Sequence, residues 1–129
     1  MNAENGLEIM FSHTNGFPVN IINMAIFKQE EAERIYVAFS GTQKLLQPLY
    51  EVWDLAPVEY KLHNIPHAKV FGYFYHHYID DFKEIMTKQL KEIMSQYPNY
   101  TVIFTGHSMG AAVSSVACLD AVLTGTIDG

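Results

Sequence analysis

Gly106-His107-Ser108-Met109-Gly110 sets one hydroxyl between two glycines, behind the apolar run Tyr100–Phe104 and ahead of the small-residue run Ala111–Ala117. A serine held at the tip of a sharp strand-to-helix turn can act as an acyl-transfer nucleophile. The turn forces its backbone into a sparsely populated conformation, and side chains two positions to either side would collide. Gly106 and Gly110 remove those side chains, His107 fills the turn, and the helix that starts behind Ser108 aims N–H groups and its positive dipole end at the reacting atom. The bland alternative is an ordinary glycine-bounded turn. The β-rich run before the motif and the closely packable helix after it favour a nucleophile elbow.

Those two elements imply the rest of the scaffold. Val19–Phe27 and Ile35–Phe39 read as strands joined by the polar stretch Lys28–Arg34, hence a hairpin. Leu7–Phe11 is a short apolar piece, and Asn15–Pro18 reads as a turn. Between Lys44 and Lys69 there is no clear strand. Leu45, Leu46, Leu49, Val52 and Trp53 fall at helical spacing after Ser40-Gly41-Thr42-Gln43. Trp53 therefore belongs either to a lid over an acyl pocket or to a short core helix, and the residues leave both open. From Tyr75 to Tyr97, apolar residues recur every three to four positions with acidic and basic residues opposite, which predicts one long amphipathic helix ended by Tyr97-Pro98-Asn99. Strand, helix, strand, elbow, helix predicts an α/β fold with a mostly parallel sheet and flanking helices.

The totals exclude several function classes. With 129 residues, 49% of them hydrophobic, the chain suffices for one domain. A net charge of −6 and the lack of a basic stripe argue against nucleic acid as a partner. Cys118 is the sole cysteine, so no internal disulfide can form. No stretch has the length and apolarity of a transmembrane helix, and the N-terminus has no signal-peptide pattern, which predicts a soluble and, by default, cytoplasmic chain. His63 and His67 are four apart, but Pro66 breaks the helix that would align them, so no metal or cofactor motif emerges. The oligomeric state is not encoded legibly.

The chain resembles the N-terminal half of a class 3 (fungal-type) lipase of the α/β-hydrolase fold. The matching pieces are Val37-Ala-Phe-Ser-Gly-Thr42, Trp53-Asp54-Leu55, Gly72-Tyr73 and the block from Tyr97 to Asp120, in the family's order. The resemblance implies Ser108 as nucleophile, Thr42 and Met109 as sources of the oxyanion-hole N–H groups, and a lipid or related ester as substrate. Ser40 stands where the family commonly has Arg, and Ala111 where it commonly has Gly. The family's triad acid and histidine fall on later loops, so residues 1–129 are expected to be the N-terminal portion of one such domain, cut after the elbow helix. Neither Asp120, on that helix, nor Asp128, in a closing Thr-Gly-Thr-Ile-Asp-Gly stretch that reads as a cut end, is assigned as the acid. His13, His63, His67, His76, His77 and His107 supply no assignable base. The expected activity is ester hydrolysis through an acyl-enzyme. The competing expectation is a non-catalytic lipase-like domain that binds lipid or a protein partner.

Overall fold

A computed structural model describes residues 6–14, 22–41, 57–59, 63 and 65–128. Three strands open the chain: β1 (Leu7–Thr14), β2 (Asn23–Gln29) and β3 (Arg34–Ser40). The polar stretch between β2 and β3 is too short for a crossover, so the pair is the expected antiparallel hairpin, in register from Asn23 opposite Ser40 to Gln29 opposite Arg34. β1 pairs antiparallel with β2 across a register shift between Ile9 and Phe11, which makes Leu7–Phe11 part of an eight-residue edge strand. A small second sheet follows, β4 (Pro57–Glu59) against β5 (Lys69–Phe71). The sequence suggests no strand between Lys44 and Lys69. Three residues headed by proline are too few for alternation to register.

The long helical segment is built in three parts: α1 (Gly72–His77), a π-helical turn (Tyr78–Phe82) and α2 (Lys83–Gln96). Its apolar stripe, including Tyr75, Phe82, Met86, Leu90 and Ile93, is buried as the periodicity predicts, while Asp80, Glu84, Lys88, Lys91 and Glu92 lie on the more accessible side. Tyr97 caps the helix, its N–H donating to the Ile93 carbonyl at 3.0 Å. The π turn, which hydrophobic spacing does not reveal, interrupts the expected single α-helix. The chain then enters β6 (Thr101–Gly106), parallel to β3, and α3 (Met109–Leu123).

The described main sheet runs β1-β2-β3-β6 and is mixed. The antiparallel pairs lie where connections are short, and the parallel pair lies where a helical crossover intervenes. Strands β2 and β3 alternate between buried and half-buried residues. Their inward set, with Met24, Ile26, Ile35, Val37 and Phe39, forms one core with the helical stripe and with Met109 and Val113 of α3. Phe82 meets Phe39 edge to face, centroids 5.4 Å apart at 87°.

A second tie joins the sheet edge to the end of α2. Lys28 is buried on β2, its Nζ 3.1 Å from Glu8 and 3.2 Å from the Tyr97 hydroxyl. The hydrogen bond to Tyr97 and the pairing with Glu8 outweigh the cost of burial and hold the ammonium well above the ordinary lysine range. The last residues are built in as well. Thr124 and Gly125, the latter at φ +71°, end α3, with the Thr126 N–H donating to Ala121 O at 2.9 Å and the Gly125 N–H to Val122 O at 3.0 Å. This is a Schellman cap, and Ile127 packs on the core behind it.

Candidate active site

Ser108 sits between β6 and α3 with φ 56° and ψ −123°, a conformation rare for a residue with a Cβ, and its side chain is exposed. The close approaches that impose it are measurable. A Cβ on Gly106 would lie 2.4 Å from the carbonyl carbon and oxygen of Gly110, and one on Gly110 would lie 2.1 Å from the Phe39 carbonyl oxygen. The two glycines thus let the start of α3 press on β6 from one side and on the end of β3 from the other. Inside the turn, the Gly110 N–H donates to His107 O at 2.9 Å and the Ala111 N–H to Ser108 O at 3.0 Å.

Met109 is the first residue of α3, so its N–H is one of the donors for which a helix start supplies no intrahelical acceptor. Its side chain is buried in the core, which fixes the direction of that donor. The end of β3 comes alongside. The Cβ position of Gly41 is 3.6 Å from Ser108 Cβ and 3.7 Å from Met109 N. Ser108, the start of α3 and Gly41 at the end of β3 thus lie close together. Thr42, the expected second donor, and Trp53, for which a lid and a short core helix were both open, lie outside the described residues.

Strain of this kind costs on the order of 1–3 kcal/mol, whereas glycine accepts the conformation freely at the expense of a more flexible unfolded chain. Ser108→Gly is therefore expected to raise stability by about 1 kcal/mol. A few degrees' rise in thermal midpoint would show it; a fall would mean that the turn is relaxed.

The histidines whose side chains are described are placed as follows. His107 is exposed, and its carbonyl serves the turn. His13 stacks edge to face on Phe82 and His76 on Tyr75, and His67 is exposed at a turn with φ 62°. His63 has a different role that spacing does not disclose. Its Nε2 lies 2.8 Å from Oδ1 of Asp120, which is fully buried on α3. The same carboxylate accepts from the Tyr78 hydroxyl at 2.5 Å and from Lys83 Nζ at 2.8 and 2.9 Å. The π turn is what permits this. In an α-helix, residues five apart point about 140° away from each other, whereas i to i+5 bonding stacks them on one side.

Burial pushes the Asp120 carboxyl up, but the hydrogen bonds from Lys83, Tyr78 and His63 together hold it below the usual carboxylate range. The signal in the sequence was an acid on the buried face of α3, in step with Met109, Val113 and Val116. A buried carboxylate requires donors.

The family model described as Lipase (class 3) matches residues 36–128. A lipase from Rhizopus niveus is 27% identical over 118 residues, covering 86% of this chain and 25% of that protein. A secreted mono- and diacylglycerol lipase A from Penicillium cyclopium is 45% identical over 38 residues, covering 30% of this chain and 12% of that protein. Among solved structures, lipase II from Rhizopus niveus aligns with a TM-score of 0.82 at 23% identity, over 93% of this chain and 43% of its own. A mutant of the Penicillium cyclopium protein MDLA gives 0.83 at 20% identity, over 95% and 43%. The chain thus spans less than half the length of these relatives. The matched Penicillium lipase is a secreted protein, which overturns the expectation of a cytoplasmic chain. That expectation rested on the lack of a leader pattern, and 129 residues covering a fraction of their relatives carry no information on leaders.

Proposed function

We propose a serine ester hydrolase from one premise: this chain belongs to the class 3 lipase family, whose model spans residues 36–128. The observation that carries the proposal is the strained, exposed Ser108 set beside the N–H of Met109 and the end of β3. Ser108 Oγ adds to an ester carbonyl carbon as its proton passes to a base. The oxyanion that forms receives the Met109 N–H and the N–H of Thr42. Collapse expels the alcohol, which takes the proton, and water then hydrolyses the acyl-enzyme by the same route. Donors so placed contribute about 3 kcal/mol each to the transition state.

The histidines whose side chains are described stack on aromatic rings, pair with Asp120 or sit exposed at turns. One matched solved structure concerns a triacylglycerol lipase with a serine protease triad at its catalytic centre. We assign the base accordingly to a histidine and acid outside residues 1–129, with acylglycerols as the substrate class, as in the matched relatives' names.

A serine-directed alkyl phosphonate tests the nucleophile apart from turnover. Mass analysis is expected to find one adduct, on Ser108, and none on Ser108→Ala. Emulsified mono-, di- and triacylglycerols then test turnover. A folded chain that takes no adduct overturns the proposal and leaves the non-catalytic reading, a lipid- or partner-binding domain. An adduct without turnover assigns the nucleophile to this chain and the base elsewhere.

A further inference from the structure

The alternation of β1 and its register disagree. In Leu7-Glu8-Ile9-Met10-Phe11-Ser12-His13-Thr14, strict alternation sets Leu7, Ile9, Phe11 and His13 on one face and Glu8, Met10, Ser12 and Thr14 on the other. An unbroken register would therefore turn Ile9 inward with Phe11. From Phe11 opposite Ile26 to Thr14 opposite Asn23, β1 follows that pattern. Before Phe11 it does not. Ile9 lies opposite Phe27, Glu8 opposite Lys28 and Leu7 opposite Gln29, so Met10 is the extra residue of a bulge. Met10 and Phe11 both pack on the core, and Ile9 is left 54% exposed. An isoleucine held in water, one residue's slip from burial, implies an opposing force.

Lys28 supplies that force. Its side chain is 9% exposed, and the bulge turns Glu8 to the same side of the sheet, 3.1 Å from its Nζ. A slip of one residue before Phe11 would set Ile9 opposite Lys28 and Met10 opposite Phe27, and would carry Glu8 to the other face. The buried ammonium would keep the Tyr97 hydroxyl at 3.2 Å and its ring centroid at 4.8 Å, and would lose its negative partner. Stranding a buried charge costs more than covering one partly exposed isoleucine recovers.

We propose that β1 is a two-register strand, and that the Glu8–Lys28 pair selects the bulged register over the slipped one its apolar alternation favours. The selection shapes a surface. In the bulged register Leu7 stands with Phe27, Gln29, Tyr36, Ala38 and Thr105 around a groove of about 400 Å³, on the face of the sheet opposite the inward set of β2 and β3. The slipped register puts Glu8 opposite Gln29 in Leu7's place. One ion pair thereby decides whether that wall of the groove is apolar or acidic.

Cross-strand nuclear Overhauser effects between backbone protons of the isotope-labelled whole chain test the register, in the native protein, Lys28→Met and Glu8→Ala. Methionine keeps an unbranched stem without the charge, and alanine removes the carboxylate. The native protein is expected to show Ile9 against Phe27 and Glu8 against Lys28. In both variants those contacts are expected to vanish and be replaced by Met10 against Phe27 and Ile9 against position 28, while Ser12 against Ala25 and Thr14 against Asn23 persist. Retention of the Ile9–Phe27 contacts in either folded variant would overturn the proposal, since packing would then hold the bulge. Loss of the Ser12–Ala25 contacts as well would overturn it too, because the pair would secure the whole strand and not its register. Each variant is decisive alone, so a failure of one to fold leaves the other as the test.

Discussion

Gly110→Ala is expected to lose at least about 3 kcal/mol of stability in urea unfolding, beyond the usual cost of an overpacked core. The added methyl would arrive 2.1 Å from the Phe39 carbonyl oxygen and 2.7 Å from its carbon, and both are backbone atoms inside the β3–β6 ladder. No rotamer can relieve that overlap. Either α3 slides outward, breaking its packing through Met109 and Val113, or β3 leaves its register. Gly106→Ala meets the backbone of Gly110 and Ala111 at 2.4 to 2.7 Å and is expected to cost a similar amount. Gly41→Ala, at 3.2 Å from a single carbonyl oxygen, is expected to cost less than half as much, because a shift of a few tenths of an ångström relieves that contact. A loss below about 1 kcal/mol in Gly110→Ala would show that the elbow tolerates displacement and that its glycines are not steric requirements.

The steric logic of the elbow was legible because it is local. Two glycines flanking a serine between an apolar run and a small-residue run express a close approach of backbone to backbone, and sequence spacing records such approaches directly. The β2–β3 hairpin was legible for the same reason, its connection being too short for other pairings. What spacing did not record depends on partners distant in the chain. The π turn leaves the three-to-four periodicity of the apolar stripe intact while bringing Tyr78 and Lys83 onto one side. β4 is three residues long and has no pattern of its own. His63 read as half of a failed metal pair because its partner is 57 positions away on α3. Asp120 carried the one visible clue, a carboxylate on a buried helical face, although nothing nearby in sequence said which donors answer it. Local sterics and periodicity therefore revealed the elbow and its strands, and tertiary hydrogen bonding decided the cluster behind them.

The cluster makes the second large prediction. Asp120→Ala strands the Lys83 ammonium and the Tyr78 hydroxyl against an apolar interior, and is expected to destabilise the protein by about 3–5 kcal/mol, the cost of breaking a buried pair on one side. Because Lys83 is about one-third exposed and can turn towards water, the lower end of that range applies. Asp120→Asn keeps the shape and an acceptor for Tyr78 and should cost less, yet it removes the charge, and pH separates the two effects. The folded carboxyl is held below its unfolded value of about 3.9. Its contribution to stability is therefore complete above that value and is lost as pH falls through the lower, folded one. In acid titrations of unfolding free energy, the native protein should carry this limb and Asp120→Asn should lack it, so the two curves converge as the carboxyl protonates. Parallel curves from neutral pH down through the acid range would mean that Asp120 titrates alike folded and unfolded, and that Lys83 and Tyr78 contribute shape alone. Convergence would instead assign the join between α3 and the π turn to a charge, making the helix that begins after Ser108 more weakly held in acid than its apolar packing alone would make it.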